Sequence, residues 1–469
     1  MKKLFILFIL LRLPYLIAEY PGCIYPDTAG SIDQFFGHPD FSAQLCSTDP
    51  TVVLTNHHPV IYTLLFGGTI WLGQAAGNPS AAVFVFVLLQ AVIHSWLLAR
   101  LFMMLRPQRA GKALHLWRAC IAFSALFPIY GFWSTLMLKD AFFSLCTIWL
   151  LTGLLEIVQS DGHKLNNAAF LLRFFAMSFL FMLSKNQCAY IVLIMILLVV
   201  AFYRVWRWRM ASVMGAALLA YGLWLHVLLP SLHVALSGRQ ELHGFMFQQS
   251  ARYLKEYPAD VSASEKAAIN AVLPYDSLAS LYNPDLQDPV KFHYKVGATD
   301  AAFAQYRIAH LRMMLRHPDI AVLSVWQGCN AYFYPSARFP LFFPSLSTET
   351  QPLRAVKPLC SPQPSGMMTI LSVPVLGLFF DMGLYIPLAL LGCLCLLLRR
   401  RWNHLLVMLP ILISICILII SPENGCFRYV MPILWALPLE ALLVFGDLSS
   451  HNYELSNGRQ KELKGARGR

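Results

Sequence analysis

From Pro79 to Ala99 the chain carries no charged side chain. Where water is absent, the backbone of such a run must pair its own N–H and C=O groups, which a helix does and an irregular loop does not. About 20 apolar helical residues cross a bilayer. The run is one of several: windows at 80–104, 119–136, 140–158, 167–183, 188–203, 210–229, 372–398, 404–420 and 429–446 all read as spans. Hydrophobic residues make up 57% of the chain and charged ones only 13%, so these windows are not core helices of a soluble domain. The start, MKKLFILFILLRLPYLIAEY, has a basic end and an apolar middle broken by Arg12 and Pro14. It has no clean A-x-A cleavage site and reads as a retained first helix rather than a signal peptide. The expected class is an all-α polytopic membrane protein with about ten transmembrane helices.

The basic residues orient it. Arg106, Arg109, Lys112 and Arg118 follow one span; Arg204, Arg207 and Arg209 another; Arg399, Arg400 and Arg401 a third; and the tail from Arg459 is basic. The positive-inside rule places all four groups in the cytoplasm, with both termini. The net charge of +12 thus belongs to cytoplasmic loops. No basic patch interleaved with aromatics points to nucleic acid. With the first helix leading out, the span 80–104 must return inward, so the segment 59–76 lies in the outer interface or re-enters. Residues 20–79, Leu138–Asp140, Ser184–Gln187, 230–367 and Ser421–Arg428 then share the outer face. The organisation expected is an N-terminal transmembrane module (1–229) with its first outer loop (20–79), a large extracytoplasmic loop (230–367), C-terminal transmembrane helices (368–446) and a cytoplasmic tail (447–469).

Ionisable residues at the edges of apolar spans are costly and point to function. Asp27 and Asp33 stand in YPDTAGSIDQFFG, His57 and His58 in TNHHPVIYTLL, Lys139 and Asp140 in STLMLKDAFF, Lys185 in MLSKNQCAY, and Glu423 and Arg428 in SPENGCFRYVMP. Structural roles compete with functional ones at each. Asp27 follows Pro26 and can cap a short helix near Thr28. Asp33 lies about 240° round a helix from Asp27, so the two do not form a carboxylate pair and one belongs to the surface. Adjacent histidines rarely both face one metal ion, and Pro59 can simply fix them in a turn. Lys139 and Asp140 can be a local ion pair, and Arg428 can pair with Glu423.

The loop 230–367 contains an amphipathic stretch, Ala301–Arg316, with Arg307, His310, Arg312 and Arg316. SASEKAAI has capping-box spacing from Ser262 to Glu265. An ordered helical cap is expected, acting as a shield or touching substrate. The eleven cysteines show no C-x-x-C zinc pattern. Cys23 with Cys46, or Cys329 with Cys360, can form disulfides outside the cytoplasm, and the connectivity stays open.

Cations and a carboxylate beside lipid suit a lipid-linked phosphate or pyrophosphate, with the carboxylate as general base. The order YPG…D, HHPVIYTLLFGG, LKD, SKNQ, an outer loop with ARYL and YNP, and RYVMPI resembles bacterial multi-pass proteins similar to the GT-C superfamily of membrane glycosyltransferases, over most of residues 1–446. The resemblance implies a polyprenyl-phosphate or polyprenyl-diphosphate sugar donor, an acceptor glycan, lipid or protein, and a site on the extracytoplasmic face of the cytoplasmic membrane. By resemblance Asp27 matches the acid of the first outer loop, His57 and His58 a donor-site position, and Lys139 and Arg428 phosphate-contacting positions. No D-x-D or E-x-D stands in that loop, so no metal ligand is assigned and a divalent metal stays open. A transporter or flippase of lipid-linked glycans, an O-antigen-ligase or polymerase type of enzyme, and a scaffold are the rivals. With single cysteines in a cysteine-free background, an impermeant maleimide is expected to label intact cells at Ser47 and Asn78 and not at Gln108; labelling at Gln108 but not Asn78 means that 59–76 spans.

Overall fold

The structure is a computed structural model and describes residues 1–203, 206–335, 350–357, 373, 375–420 and 423–446. The expectations for Arg204, Cys360 and the basic tail lie outside the described residues. Helices run in the order α1 (Lys2–Ala18), α2 (Pro26–Phe35), α3 (Phe41–Cys46), α4 (Val60–Ala75), α5 (Pro79–Met104), α6 (Lys112–Leu126), α7 (Pro128–Trp133), α8 (Lys139–Gln159), α9 (Ala168–Ser184), α10 (Cys188–Phe202) and α11 (Arg207–Leu223), which continues through a π-turn into α12 (Leu229–Ser231). Then come α13 (Gln240–Glu256), α14 (Ala263–Asn270), α15 (Tyr275–Leu281), α16 (Asp288–Lys291), α17 (Asp300–Arg316) and α18 (Pro318–Phe333). The last four are α19 (Leu376–Phe380), α20 (Tyr385–Leu398), α21 (Trp402–Leu418) and α22 (Phe427–Phe445). Two strands, β1 (Cys23–Ile24) and β2 (Leu136–Met137), and four short 3-10 turns complete the described elements.

The protein is helical and built for a membrane. Four helices, Pro79–Met104, Lys139–Gln159, Arg207–Ser231 and Phe427–Phe445, are long and apolar enough to cross one, and shorter apolar helices accompany them. Leu172, Phe202 and Leu219 stand exposed on the outside of the bundle, as a lipid-facing surface requires. The window 119–136 is not one helix. Proline lacks an N–H and disfavours helical backbone at the residue before it. Phe127 accordingly turns extended (ψ 118°) ahead of Pro128, α6 stops at Leu126, and the chain proceeds through α7 to β2. The N- and C-terminal helices share one core: α22 packs on α6, α8 and α20, and α21 on α8 and α10.

One end of the bundle gathers the basic residues. Gln159 bonds the carbonyl of Met104, Tyr203 that of Trp402, and Arg399 and Arg401 the last carbonyls of α22. Glu156 pairs there with Arg100 and Arg173. The segment 59–76 does not reach that end. The Tyr62 hydroxyl, near the start of α4, donates to the carbonyl of Ser184 (2.7 Å), and its ring packs on Phe142. Phe66 meets Phe86, and Gly73 abuts Pro79 and Ala82 at the start of α5. The helix thus covers only the first turns of α5, at the bundle's other end.

A cap sits over that other end with a core of its own, including Phe247, Tyr253, Ile269, Leu273, Tyr306 and Met313. The capping box at Ser262 and Glu265 forms. The four basic residues of the amphipathic stretch part company: Arg316 bonds Asp260 and Glu265, His310 is buried against Gln249, and Arg307 and Arg312 are exposed. Cys23, Cys46 and Cys329 are thiols, so no Cys23–Cys46 disulfide forms. The cause is β1, which binds Cys23 to the carbonyl of Thr135 while Cys46 ends α3.

Helix α2 lies on α4 at Gly67, where an added Cβ would meet Phe35 Cγ at 2.1 Å. Gly67→Val is therefore expected to lower stability by about 1–3 kcal/mol through overpacking. A thermal melt of the purified protein checks it; an unchanged melt means α2 and α4 are not in close contact.

Candidate functional site

The site begins with two residues of strand. β1 and β2 pair in parallel, Cys23 against Leu136 and Ile24 against Met137. Gly22 makes the approach possible: its φ is +128°, and a Cβ there would stand 3.0 Å from the carbonyl of Thr135. Three residues past Ile24 the chain reaches Asp27, and two past Met137 it reaches Lys139. The Thr28 hydroxyl bonds the Met137 carbonyl (2.8 Å) and locks the register. Asp27 is not a cap. Pro26 takes the first helical position of α2, where its missing N–H costs nothing, and Asp27 sits in the first turn.

Lys139 Nζ lies 2.8 Å from Asp27 Oδ2 and 2.6 Å from His58 Nδ1. Arg428 Nη1, from the start of α22, reaches the same Asp27 oxygen at 2.6 Å. Lys139 and Asp140 are not a local pair, because successive residues of a helix point apart. Asp140 instead accepts from Lys185 (2.8 Å) and faces Arg428 at 3.8 Å. Lys185 also lies 4.0 Å over the ring of Tyr429. Glu423 stands 3.7 Å from Arg428. The side chain of Asp140 is fully buried and that of Asp27 is 28% exposed, so of these two carboxylates Asp27 is the one that can meet a ligand directly.

The His57–His58 turn is held from both sides. Asn186 donates to the carbonyls of Asn56 and His57, Asn56 caps Val60, and Asn56 N–H bonds Ala235. The two rings sit 4.6 Å apart and serve different neighbours. His58 faces Lys139 and Asp27, whereas His57 Nδ1 is 3.7 Å from Glu241 of α13. Glu241 is in turn held by Lys291 at 3.2 Å. Glu241 and Lys291 therefore belong to the site although they carry no signal in the sequence: an acid in the first turn of a helix needs no function beyond the helix dipole. Asp33 does not join them. It lies further along α2 near Thr350 and His38, where burial raises its carboxyl above the ordinary range.

Burial opposes the charge on Asp27, but the Lys139 ammonium and the Arg428 guanidinium outweigh it and hold the carboxyl well below the usual carboxylate range. Burial, reinforced by Lys139, pushes His58 well below the ordinary histidine range; burial also lowers His57, against the pull of Glu241. Both rings are neutral at pH 7. With Nδ1 of His58 accepting from the Lys139 ammonium, its proton resides on Nε2, the atom 3.8 Å from Asp27 Oδ1. His57 Nδ1 and Asp140 Oδ2 are buried without a hydrogen-bond partner. The residues do not fit a divalent ion: Asp27 is committed to two cations, and no three His, Cys, Asp or Glu groups converge among the described residues.

A histidine kept neutral by the fold stabilises it fully above about pH 6.5. Below that the unfolded chain takes up the proton first, and stability falls by about 1.4 kcal/mol per pH unit for each such group. Asp27, with a lowered pKa, loses its contribution only at far more acid pH. Between pH 7 and 5 the melting temperature is therefore expected to fall, and to fall less steeply in His58→Gln. Equal slopes in the two proteins would mean that His58 is charged in the fold.

No curated protein and no solved structure matches the chain. Residues 44–461 match one family, which takes in His57, His58, Lys139, Asp140, Lys185, Glu423 and Arg428 and leaves Asp27 and α1 before it. The chain belongs to DUF6020, a family of unknown function.

Proposed function

We propose that the protein is a GT-C-like membrane glycosyltransferase of about ten spans. It moves a sugar from a polyprenyl-phosphate or polyprenyl-diphosphate donor to a glycan, lipid or protein on the extracytoplasmic face of the cytoplasmic membrane. The supporting observation is a half-buried carboxylate, Asp27, shared by Lys139 and Arg428 at the end of an apolar bundle and under a cap. A lipid phosphate reaching that level meets an ammonium and a guanidinium, the groups that hold phosphate best. Once the phosphate draws on those cations, the field holding the Asp27 proton affinity down weakens. Asp27 then takes the proton of the acceptor hydroxyl as that oxygen bonds the anomeric carbon. The bond from that carbon to the phosphate oxygen breaks, and the released phosphate stays with Lys139 and Arg428. Asp140 positions Lys185 and Arg428 from beneath, and Glu423 flanks Arg428.

A flippase of lipid-linked glycans is favoured by a different observation. Arg12 and His94 are buried inside the bundle, where intramembrane ionisable groups often mark a path. The full chain in nanodiscs tests recognition of the lipid phosphate, and complementation by an Asp27 variant separates the two activities. Farnesyl phosphate, and not farnesol, is expected to raise the melting temperature of the wild type, and Lys139→Gln and Arg428→Gln are expected to lose that shift. In cells lacking the native protein, Asp27→Asn is expected to restore envelope glycan transfer about 100- to 10,000-fold less well than the wild type. An equal shift with farnesol, or full restoration by Asp27→Asn, overturns the transferase.

A further inference from the structure

Helix α17 buries Phe303, Tyr306 and Met313 in the cap core, and this side needs no further partner. Its other side is also apolar. Ile308, Leu311 and Leu315 recur at three- and four-residue spacing and stand exposed, Leu315 at 73%. Helix α18 continues the pattern with Val322, at 67%, Leu323 and Trp326. Single exposed apolar residues are ordinary, but six of them on two successive helices, interrupted only at the Arg316–Asp319 junction, are not. Arg307 and Arg312 flank the row and have no ion-pair partner among the described residues. Between Asp300 and Asp319 the sequence has no acid at all. The polar side of the cap lies elsewhere, on α14 and α15, where Lys266 pairs with Asp276.

Position names the occupant. α18 buries Cys329 and Tyr332 in the bundle core, and its Ser324, Val325 and Gly328 line a crevice with Ile419 and Ile420 just past α21. Ile419 and Ile420 are themselves exposed on the bundle. The apolar row of the cap is therefore continuous with the apolar flank of the transmembrane helices. We propose that α17 and α18 lie in the phospholipid headgroup layer, with Ile308, Leu311, Leu315, Val322 and Trp326 toward the acyl chains and Arg307 and Arg312 on lipid phosphates. Such a face combines buried apolar area with electrostatic attraction to the headgroups, as interfacial helices do. It fixes the height of the cap over the bundle, independently of which reaction the site performs.

The full chain carrying p-benzoylphenylalanine in place of Leu315 or Val322, in phosphatidylcholine–phosphatidylglycerol nanodiscs, tests this. Leu172 serves as the bundle position and Ala267 as the polar side of the cap. Irradiation is expected to give phospholipid adducts at 315, 322 and 172, at least about tenfold above 267. Adducts at 172 with none at 315 and 322, or adducts to a second protein chain in place of lipid, overturn the assignment.

Discussion

The oxygen Asp27 Oδ2 receives cations from segments 112 and 401 residues distant, Lys139 and Arg428. Neither cation would be tolerated alone at that place, with the Lys139 side chain 12% and the Arg428 side chain 16% exposed. Breaking a buried ion pair by removing one partner costs about 3–5 kcal/mol, and less where water reaches it as it does at Asp27. The requirement therefore runs both ways. α8 and α22 can begin with a charge only if the first loop brings a carboxylate to them. The first loop can bury that carboxylate only if α8 and α22 stand side by side. The second pair, Lys185 with Asp140, extends the same constraint to the end of α9.

Much of this organisation could be read from the chain alone. Long charge-poor windows find their helices because the bilayer sets a length that composition reveals directly. The positive groups, taken as one side, brought Asp27, His58, Lys139, Lys185 and Arg428 to a common face before any contact was known. What escaped depended on particular contacts. Pro128 breaks a window that hydropathy reads as continuous, because hydropathy ignores the missing N–H. Lys139 and Asp140, neighbours in sequence, exchange partners because helix geometry separates their side chains. Glu241 and Lys291 look like ordinary members of an amphipathic cap, and only the cap's seat above His57 draws them in. Asp33 is different again: its separation from Asp27 follows from the six-residue spacing that the sequence shows.

The cap is joined to the site through the same loop that supplies Arg428. Asn424 accepts from the N–H of Ala331, donates to the carbonyl of Gln327, and bonds Asp285. The Tyr332 hydroxyl bonds the carbonyl of Glu423. A displacement of the cap must therefore pull on the residues preceding Arg428. On the other side the cap carries Glu241 against His57, beside the His58 that touches Lys139. Both cations that hold Asp27 are thus mechanically linked to the cap.

A carboxylate held well below its ordinary pKa is a poor base, which on its own argues against the proposed catalysis at Asp27. The same charges resolve the conflict. They hold the proton off because Lys139 and Arg428 both sit on Asp27 itself, with Asp140 and Glu423 only at the far side of Arg428. In the proposed transferase, the donor phosphate would bring negative charge of its own to Lys139 and Arg428 and so largely cancel their effect on Asp27. On that proposal the ion cluster stabilises the empty protein, and Asp27 would become basic on binding. Neutral His58 fits the same economy, since a third positive charge beside Lys139 would deepen the field that substrate must cancel. Base strength coupled to occupancy in this way would also discourage proton abstraction from water before the proposed sugar donor arrives, a separation that a permanently basic aspartate could not provide.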